Sequence, residues 1–168
     1  MGVKLGQVIW RKLIPDEIEN ADEILINGIS YELLKSEQYK LAIKISEFGC
    51  NILKKHTNEE SRRIILINSA IAYKAMGKKR DAIKLIDNQD WSGWSAEFQM
   101  ALLILKDNFK SAIELMQQVG LSNKRLTEEA YLDWPLFKKF RETEEFKNVY
   151  STLFKSPSIE FNNEIEKI

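Results

Sequence analysis

Apolar side chains recur at three- and four-residue spacing through most of the chain, and short polar stretches separate these runs. The clearest run covers residues 64–86 and is interrupted once, at Gly77. Such spacing is typical of amphipathic helices, and a single glycine between two of them favours a tight turn. The pattern therefore predicts a helical hairpin, with the small residues Ala70 and Ala82 where its two helices approach most closely.

Two weaker copies of this hairpin flank the central one. Ala42 and Ala112 are each followed by Ile, as Ala82 is, and each lies a few residues after a polar turn. Glu37 and Asp107 occupy the turn positions at which the central copy has its glycine. One hairpin cannot bury all of its apolar surface alone. We therefore expect three hairpins that pack on one another.

This pattern resembles the tetratricopeptide repeat, a helix-turn-helix unit with a small residue, a Tyr, a turn Gly and a later Ala-Ile or Ala-Leu pair. The central unit carries the resemblance through five residues: Asn68, Ala70, Tyr73, Gly77 and Ala82. The distance between units exceeds the family period of roughly 34 residues in one case and falls short of it in the other. The resemblance implies an irregular superhelix, and an ordinary helical bundle is the alternative.

The predicted fold class is all-α, a short irregular α-α superhelix of about three hairpins with a helix before it and a helical cap after it. We expect one domain over residues 1–155, with an amphipathic helix in residues 1–14 and the hairpins in residues 15–120. The aromatic-rich residues 121–155 resemble the segment that closes many bacterial arrays of this family. Residues 156–168 form a tail.

Two glycines and two tryptophans depart from the helical pattern, and packing is the expected reason for both departures. Gly28 and Gly49 fall inside predicted helices, where close contact with another helix best explains a glycine. Trp91 and Trp94 lie in a turn rich in Asn, Asp, Ser and Gly. They either plug the gap left by a shortened repeat or form a binding hot spot, and plugging is favoured.

Charge and composition limit the classes of partner. The 168 residues include 25 basic and 25 acidic side chains, so no bulk charge attracts nucleic acid. No stretch approaches the roughly 18 apolar residues of a membrane span, and the first residues lack a signal-peptide pattern. The lone Cys50 excludes an intramolecular disulfide and fits a reducing compartment. We expect a cytoplasmic protein without nucleic-acid or membrane partners.

No residue pattern predicts catalysis, a metal ion or a cofactor. His56 is the single histidine, and it lies in a polar run without the Cys or His companions that a zinc site needs. Adjacent carboxylates such as Glu128 and Glu129 stand at predicted helix starts, where they stabilise the helix dipole. Phosphate-binding glycine loops and nucleophile motifs do not occur in the sequence. The sequence therefore does not predict an enzyme.

The resemblance implies that the first helices of the hairpins line a concave groove. Family register places ten residues on that surface: Asn27, Tyr31, Lys35, Ile64, Ile67, Asn68, Ile71, Lys74, Trp94 and Glu97. The three isoleucines among them form one stripe that an apolar segment must cover. That segment comes from a partner or from the chain's own first helix around Trp10. The second source is favoured, because the apolar side chains of that helix need a surface to pack on.

The leading functional hypothesis is a non-enzymatic protein–protein interaction module, a scaffold or adaptor that binds a helix or extended segment of a partner protein. One alternative is a self-assembling structural protein that forms a homodimer. Another is a regulatory subunit of a bacterial response system, by analogy with how such repeats are often used. The identity of the protein or peptide partner does not follow from the sequence.

Overall fold

The computed structural model describes residues 23–53, 59–120, 123 and 126–154. Regular secondary structure in these residues is entirely helical. The predicted all-α class is therefore confirmed for this part of the chain. The predicted helix in residues 1–14, the tail in residues 156–168 and His56 lie outside the described residues.

Eight α-helices follow one another along the described residues. They are α1 Glu23–Lys35, α2 Tyr39–Leu53, α3 Glu59–Ala75, α4 Lys79–Asp87, α5 Ala96–Leu105, α6 Phe109–Val119, α7 Glu128–Asp133 and α8 Glu144–Phe154. Two short 3₁₀ turns, Pro135–Phe137 and Phe140–Glu142, separate α7 from α8. Pro135 ends α7 as predicted, because a proline ring disfavours helical backbone in the residue before it.

The three helix pairs α1–α2, α3–α4 and α5–α6 are joined by turns of one geometry. The backbone is left-handed at Glu37 (φ 58°), Gly77 (φ 76°) and Asp107 (φ 63°). In each turn the next residue's N–H bonds back to the carbonyl five residues earlier, as Lys78 does to Tyr73 at 2.9 Å. This is the Schellman arrangement that closes helix C-termini. The outer turns thus differ from the central one in residue type but not in backbone conformation.

The first pair shows why its two helices pack so closely. Ser30 Oγ lies 3.2 Å from Ser46 Oγ, and a Cβ at Gly49 would lie only 2.6 Å from Ile26 Cγ2. Ile26 precedes Ser30 in α1, whereas Gly49 follows Ser46 in α2. The two helices are therefore antiparallel. Close contact therefore explains Gly49 as expected. It does not explain Gly28, because a Cβ there would meet nothing within 4 Å.

Helix α3 is the central element of the packing. It contacts α1, α2, α4 and α5, and also the 3₁₀ turn that begins at Pro135. The alanines singled out in the repeat are fully buried, on α3 and on three other helices: Ala42, Ala70, Ala82 and Ala112. Small side chains let helix backbones approach each other, and the large residues beside them fill the remaining space.

The C-terminal segment, residues 126–154, does more than the predicted cap. Helix α8 packs on α6, as a cap on the last hairpin would. The stretch 133–138, however, reaches back to the first pair of helices. Lys138 Nζ donates to Glu37 Oε1 at 3.1 Å, and Tyr31 Oη donates to Asp133 Oδ2 at 3.3 Å. The prediction placed this segment at the open end alone, and that placement is incomplete.

Candidate binding groove

A cavity of about 480 Å³ opens where the first helices α1, α3 and α5 face the C-terminal segment. We call it the groove. Its lining residues are Asn27, Gly28, Tyr31, Ser61, Ile64, Ile67, Asn68, Glu97, Phe98, Ala101, Leu126, Ala130 and Trp134. Helices α1, α3, α5 and α7 therefore build the walls together with Leu126 before α7 and Trp134 after it, and most of the lining surface is apolar.

Small side chains keep this space open. Gly28, Ser61, Ala101 and Ala130 come from four different helices, and all four line the groove. A Cβ added at Gly28 would meet nothing within 4 Å. Because no large side chain projects from these positions, the helices can pack around the groove without filling it.

The groove has a buried floor and a partly exposed rim. Ile67 is 1% exposed and Asn68 is 2% exposed, so both belong to the floor. Ile64, Tyr31 and Trp134 are half-buried. Their exposed surface means that the groove is open to solvent in the described residues.

Trp134 forms the wall that the C-terminal segment contributes to the groove. It is held by contacts on both sides. Its indole N–H donates to Asn68 Oδ1 at 3.3 Å. On the other side it meets the Phe137 ring edge-to-face, with ring centroids 5.5 Å apart. Both contacts restrain the indole ring, because edge-to-face aromatic pairs and buried hydrogen bonds each favour one orientation. The far wall is therefore a defined surface.

Asp133 ties this wall to α1. It accepts hydrogen bonds from Tyr31 and from Lys35, residues that lie about a hundred positions earlier in the sequence. The hydrogen bond from Lys35 is the main reason that the pKa of the Asp133 carboxyl is lowered. Burial, together with the Asp133 charge, raises the pKa of Tyr31. At neutral pH the Asp133 carboxyl is therefore ionised and the Tyr31 phenol is neutral. The phenol O–H can then donate to the carboxylate.

Among the described residues, the buried side chains of Asn27 and Tyr131 each have an unsatisfied polar atom, and Asn27 lines the groove. Asn27 Oδ1 is buried and has no hydrogen-bond partner among the described residues. The hydroxyl of the fully buried Tyr131 likewise has none in that part of the chain. Burial, with a smaller contribution from the charge of Glu97, raises the pKa of Tyr131 to about 12. A buried acceptor without a donor costs roughly 1–3 kcal/mol, so an occupant with an N–H or O–H group would be favoured here.

Six of the ten predicted groove residues line the groove: Asn27, Tyr31, Ile64, Ile67, Asn68 and Glu97. Lys35 stands beside it, paired with Asp133. Ile71 and Lys74 line a neighbouring cavity of about 320 Å³ instead, together with Pro135. They lie outside the groove, because the C-terminal segment crosses the inner surface at Trp134 and Pro135 and divides it into two cavities.

Trp94 does not line the groove itself and packs in an aromatic cluster with Trp91 and the groove residue Phe98. Its ring centroid lies 6.3 Å from that of Trp91 and 4.8 Å from that of Phe98. The Arg63 guanidinium lies over both tryptophan rings, 4.6 Å from Trp91 and 5.4 Å from Trp94. The Trp91 indole also donates to the Ile86 carbonyl at 2.7 Å. Trp91 is thus buried among packed side chains, which is consistent with the favoured interpretation of plugging.

The sequence analysis missed the wall contributed by the C-terminal segment. Leu126, Ala130 and Trp134 line the groove, yet helical periodicity says nothing about where a segment returns after sixty or more residues. The density of aromatic residues around Pro135 was the one available signal, and it equally fits an end cap. Gly28 was attributed to helix contact, although its missing side chain contributes open space.

The described residues thus form an all-α protein of helical hairpins with an apolar groove. Among them, no group of His, Cys, Asp and Glu side chains is arranged to hold a metal ion. None of the helices in these ranges has the length and apolar content needed to cross a bilayer. Comparison of the chain with protein-family models, with curated proteins and with solved structures finds no match.

Proposed function

We propose that the protein is a non-enzymatic interaction module that holds an apolar segment of a partner protein in the groove. The observation that carries this proposal is a solvent-open cavity of about 480 Å³ with predominantly apolar walls. Binding sites typically enclose 300–1,000 Å³ and place a few polar groups among apolar ones. Concave apolar surface that stays open to water is costly unless something binds to it.

The arrangement of the hairpins supports a tetratricopeptide-like module. Three helix pairs share one left-handed turn geometry, and their first helices are neighbours, since α3 packs on both α1 and α5. In repeats of this class the first helices face the ligand. The irregular α-α superhelix predicted from the sequence is part of this proposal.

The chemistry of the lining favours binding over catalysis. Among the described residues that line the groove, Glu97 is the one charged residue and none is His, Cys, Lys or Arg. General acid–base and nucleophilic catalysis need an activated group and a partner within hydrogen-bond reach. The lining instead resembles a recognition surface, in which Ile64 and Ile67 contact apolar side chains while Asn27 and Glu97 select for a hydrogen-bond donor.

A matched pair of substitutions at Gly28 tests this proposal. Gly28→Leu places a large side chain in the groove, whereas Gly28→Ala adds a single methyl group. Both should fold, because a Cβ at this position meets nothing within 4 Å and helix propensity favours either residue over glycine by roughly 1 kcal/mol.

The measurement is peptide binding. Peptides selected from a random library on the wild-type protein should bind Gly28→Ala nearly as well and should bind Gly28→Leu at least tenfold more weakly. They should also be rich in apolar residues. Selected peptides that bind Gly28→Leu as tightly as wild type would place the binding surface elsewhere and overturn the proposal.

A further inference from the structure

The neighbouring cavity of about 320 Å³, here called the second cavity, continues the inner face on which the groove lies. On α3, Ile67 lines the groove and Ile71 lines the second cavity. On α5, Ala101 and Leu105 are divided between the two cavities in the same way. Residues four apart share one face of an α-helix and lie about 6 Å apart along its axis. The two cavities are therefore one helical turn apart.

We propose that the second cavity is a second subsite of the same binding surface. It takes an apolar side chain of the partner segment, and that side chain is accompanied by an acidic residue. This inference rests on the groove being the binding site and names the chemistry of the partner segment. It follows from the continuity of the two cavities, from the apolar wall of the second one and from the charges around its mouth.

The stretch that separates the two cavities is fixed in the core but has an outer surface. Leu136 is 6% exposed and Phe137 is fully buried, so both side chains anchor the stretch. Trp134 on the groove side and Pro135 on the other side are only half-buried. A segment that passes from one cavity to the other would cover their apolar surface, and such burial favours binding.

The inner wall of the second cavity is apolar. Ile71, Ile104, Leu105 and Leu136 are buried and line it, and Phe109 is half-buried beside them. The volume falls at the lower end of the range of roughly 300–1,000 Å³ that is usual for binding pockets. This wall accepts an apolar side chain, as the walls of the groove do.

Lysines distinguish the mouth of the second cavity from the groove. The lining of the second cavity includes three lysines and one acidic residue: Lys74, Lys138, Lys139 and Glu142. Lys138 is compensated by its ion pair with Glu37. Lys139 is exposed and makes no ion pair within the described part of the chain. Its ammonium group is thus available to an acidic side chain of a partner.

The ion pair of Lys74 also leaves positive charge beside the second cavity, because its carboxylate is shared. Asp107 accepts hydrogen bonds from both Lys74 and Lys79, so one carboxylate compensates two ammonium groups. Complementary charges attract across an interface, and like charges oppose binding. An acidic partner segment is therefore favoured over a basic one.

Peptide binding to two pairs of variants tests the inference. Ala75 is exposed and lines the second cavity. Ala75→Leu therefore fills part of the cavity, and Ala75→Ser is the matched small substitution. Lys139→Glu reverses the charge at the mouth, and Lys84→Glu makes the same change at an exposed lysine of α4 outside both cavities. All four variants should fold, because substitutions at exposed positions change stability little.

Peptides selected from a random library on the wild-type protein should combine apolar residues with at least one acidic residue. They should bind Ala75→Leu and Lys139→Glu at least fivefold more weakly than the wild type. They should bind Ala75→Ser and Lys84→Glu nearly as well as the wild type. Added salt should weaken binding to the wild type more than binding to Lys139→Glu, because salt screens the contact between charges.

Two results would overturn the inference. Peptides that lose affinity for Gly28→Leu but bind Ala75→Leu as tightly as wild type would confine binding to the groove and leave the proposed function intact. Peptides without acidic residues that bind Lys139→Glu as tightly as wild type would remove the charge selection. Failure of the proposed function looks different, since the peptides would then bind Gly28→Leu as tightly as wild type.

Discussion

Three residues hold left-handed backbone in the described chain besides the helix-capping Gly120, and only one of them is glycine. Glu37 and Asp107 adopt the same conformation as Gly77. A side chain disfavours this conformation by roughly 1–2 kcal/mol, because Cβ crowds the following carbonyl. The turns at Glu37 and Asp107 therefore retain strain that the central turn lacks, and the surrounding helix packing holds them in place.

Glu37→Gly should stabilise the protein. Glycine removes the crowding at φ 58°, so the free energy of unfolding should rise by roughly 1 kcal/mol. The carboxylate pairs with Lys138 at 3.1 Å on the surface, and Glu37→Ala removes this pair while keeping the strain. Denaturant unfolding of both variants provides the measurement. A glycine variant no more stable than the alanine variant would show that the turn is not strained.

Asp107 should make stability depend on pH. Burial opposes its charged form, but hydrogen bonds from Lys74 and Lys79 outweigh burial and lower the pKa of the carboxyl. A carboxyl with a depressed folded pKa contributes stability above its unfolded pKa, near 4, and loses it as pH falls through the folded value. Asp107→Asn should lower the melting temperature at pH 7, and the difference from wild type should shrink in acid.

Asparagine tolerates left-handed backbone, so this substitution tests the ion pairs and not the turn. Melting temperatures measured from pH 7 to pH 2.5 decide the matter. A difference between Asp107→Asn and wild type that stays constant across this range would contradict the assigned role of the carboxylate.

At the scale of elements, the hairpins could be predicted and the return of the C-terminal segment could not. Helix bounds follow from local rules, since apolar spacing, polar turns and Pro135 act within a few residues. The sequence pattern predicts helices over about 96–105 and 109–119, and α5 Ala96–Leu105 and α6 Phe109–Val119 confirm these bounds. The contact of Asp133 with Tyr31 and Lys35 joins residues about a hundred positions apart. No periodic pattern encodes such a contact, because either partner would look the same on any exposed helix face.

The isoleucines on α3 differ in exposure where the C-terminal segment packs across the inner face. Ile67 is 1% exposed and lies at the groove floor. Ile64, one turn away on the same stripe, is half-buried at the groove rim. The stripe is therefore divided between floor and rim.

Ile67→Lys should destabilise the fold strongly. It places an unpaired charge in a packed interior, which typically costs several kcal/mol. Ile64→Lys is the matched substitution, and it should cost much less because its ammonium can reach water past the rim. Thermal unfolding followed by circular dichroism compares the two. Equal losses at both positions would mean that the floor and rim are not distinct.

At the scale of the whole molecule, one groove links the fold to its proposed function. Six of the ten residues named from the family resemblance line the groove, as expected of the inner face of the first helices. Register alone could not show that the C-terminal segment crosses this face at Trp134 and Pro135, with Ile71 and Lys74 lining a second cavity beside it. The proposed binding surface is thus smaller and more enclosed than an open superhelical groove.

Mapping a bound peptide by methyl NMR tests the central claim most directly. Isoleucine methyl groups are labelled in the wild-type protein, and a peptide selected on it is added. The account predicts chemical-shift changes at Ile64 and Ile67, which line the groove, with little change at Ile83 and Ile113 in the second helices α4 and α6. Changes at Ile83 or Ile113 without a change at Ile64 would contradict it.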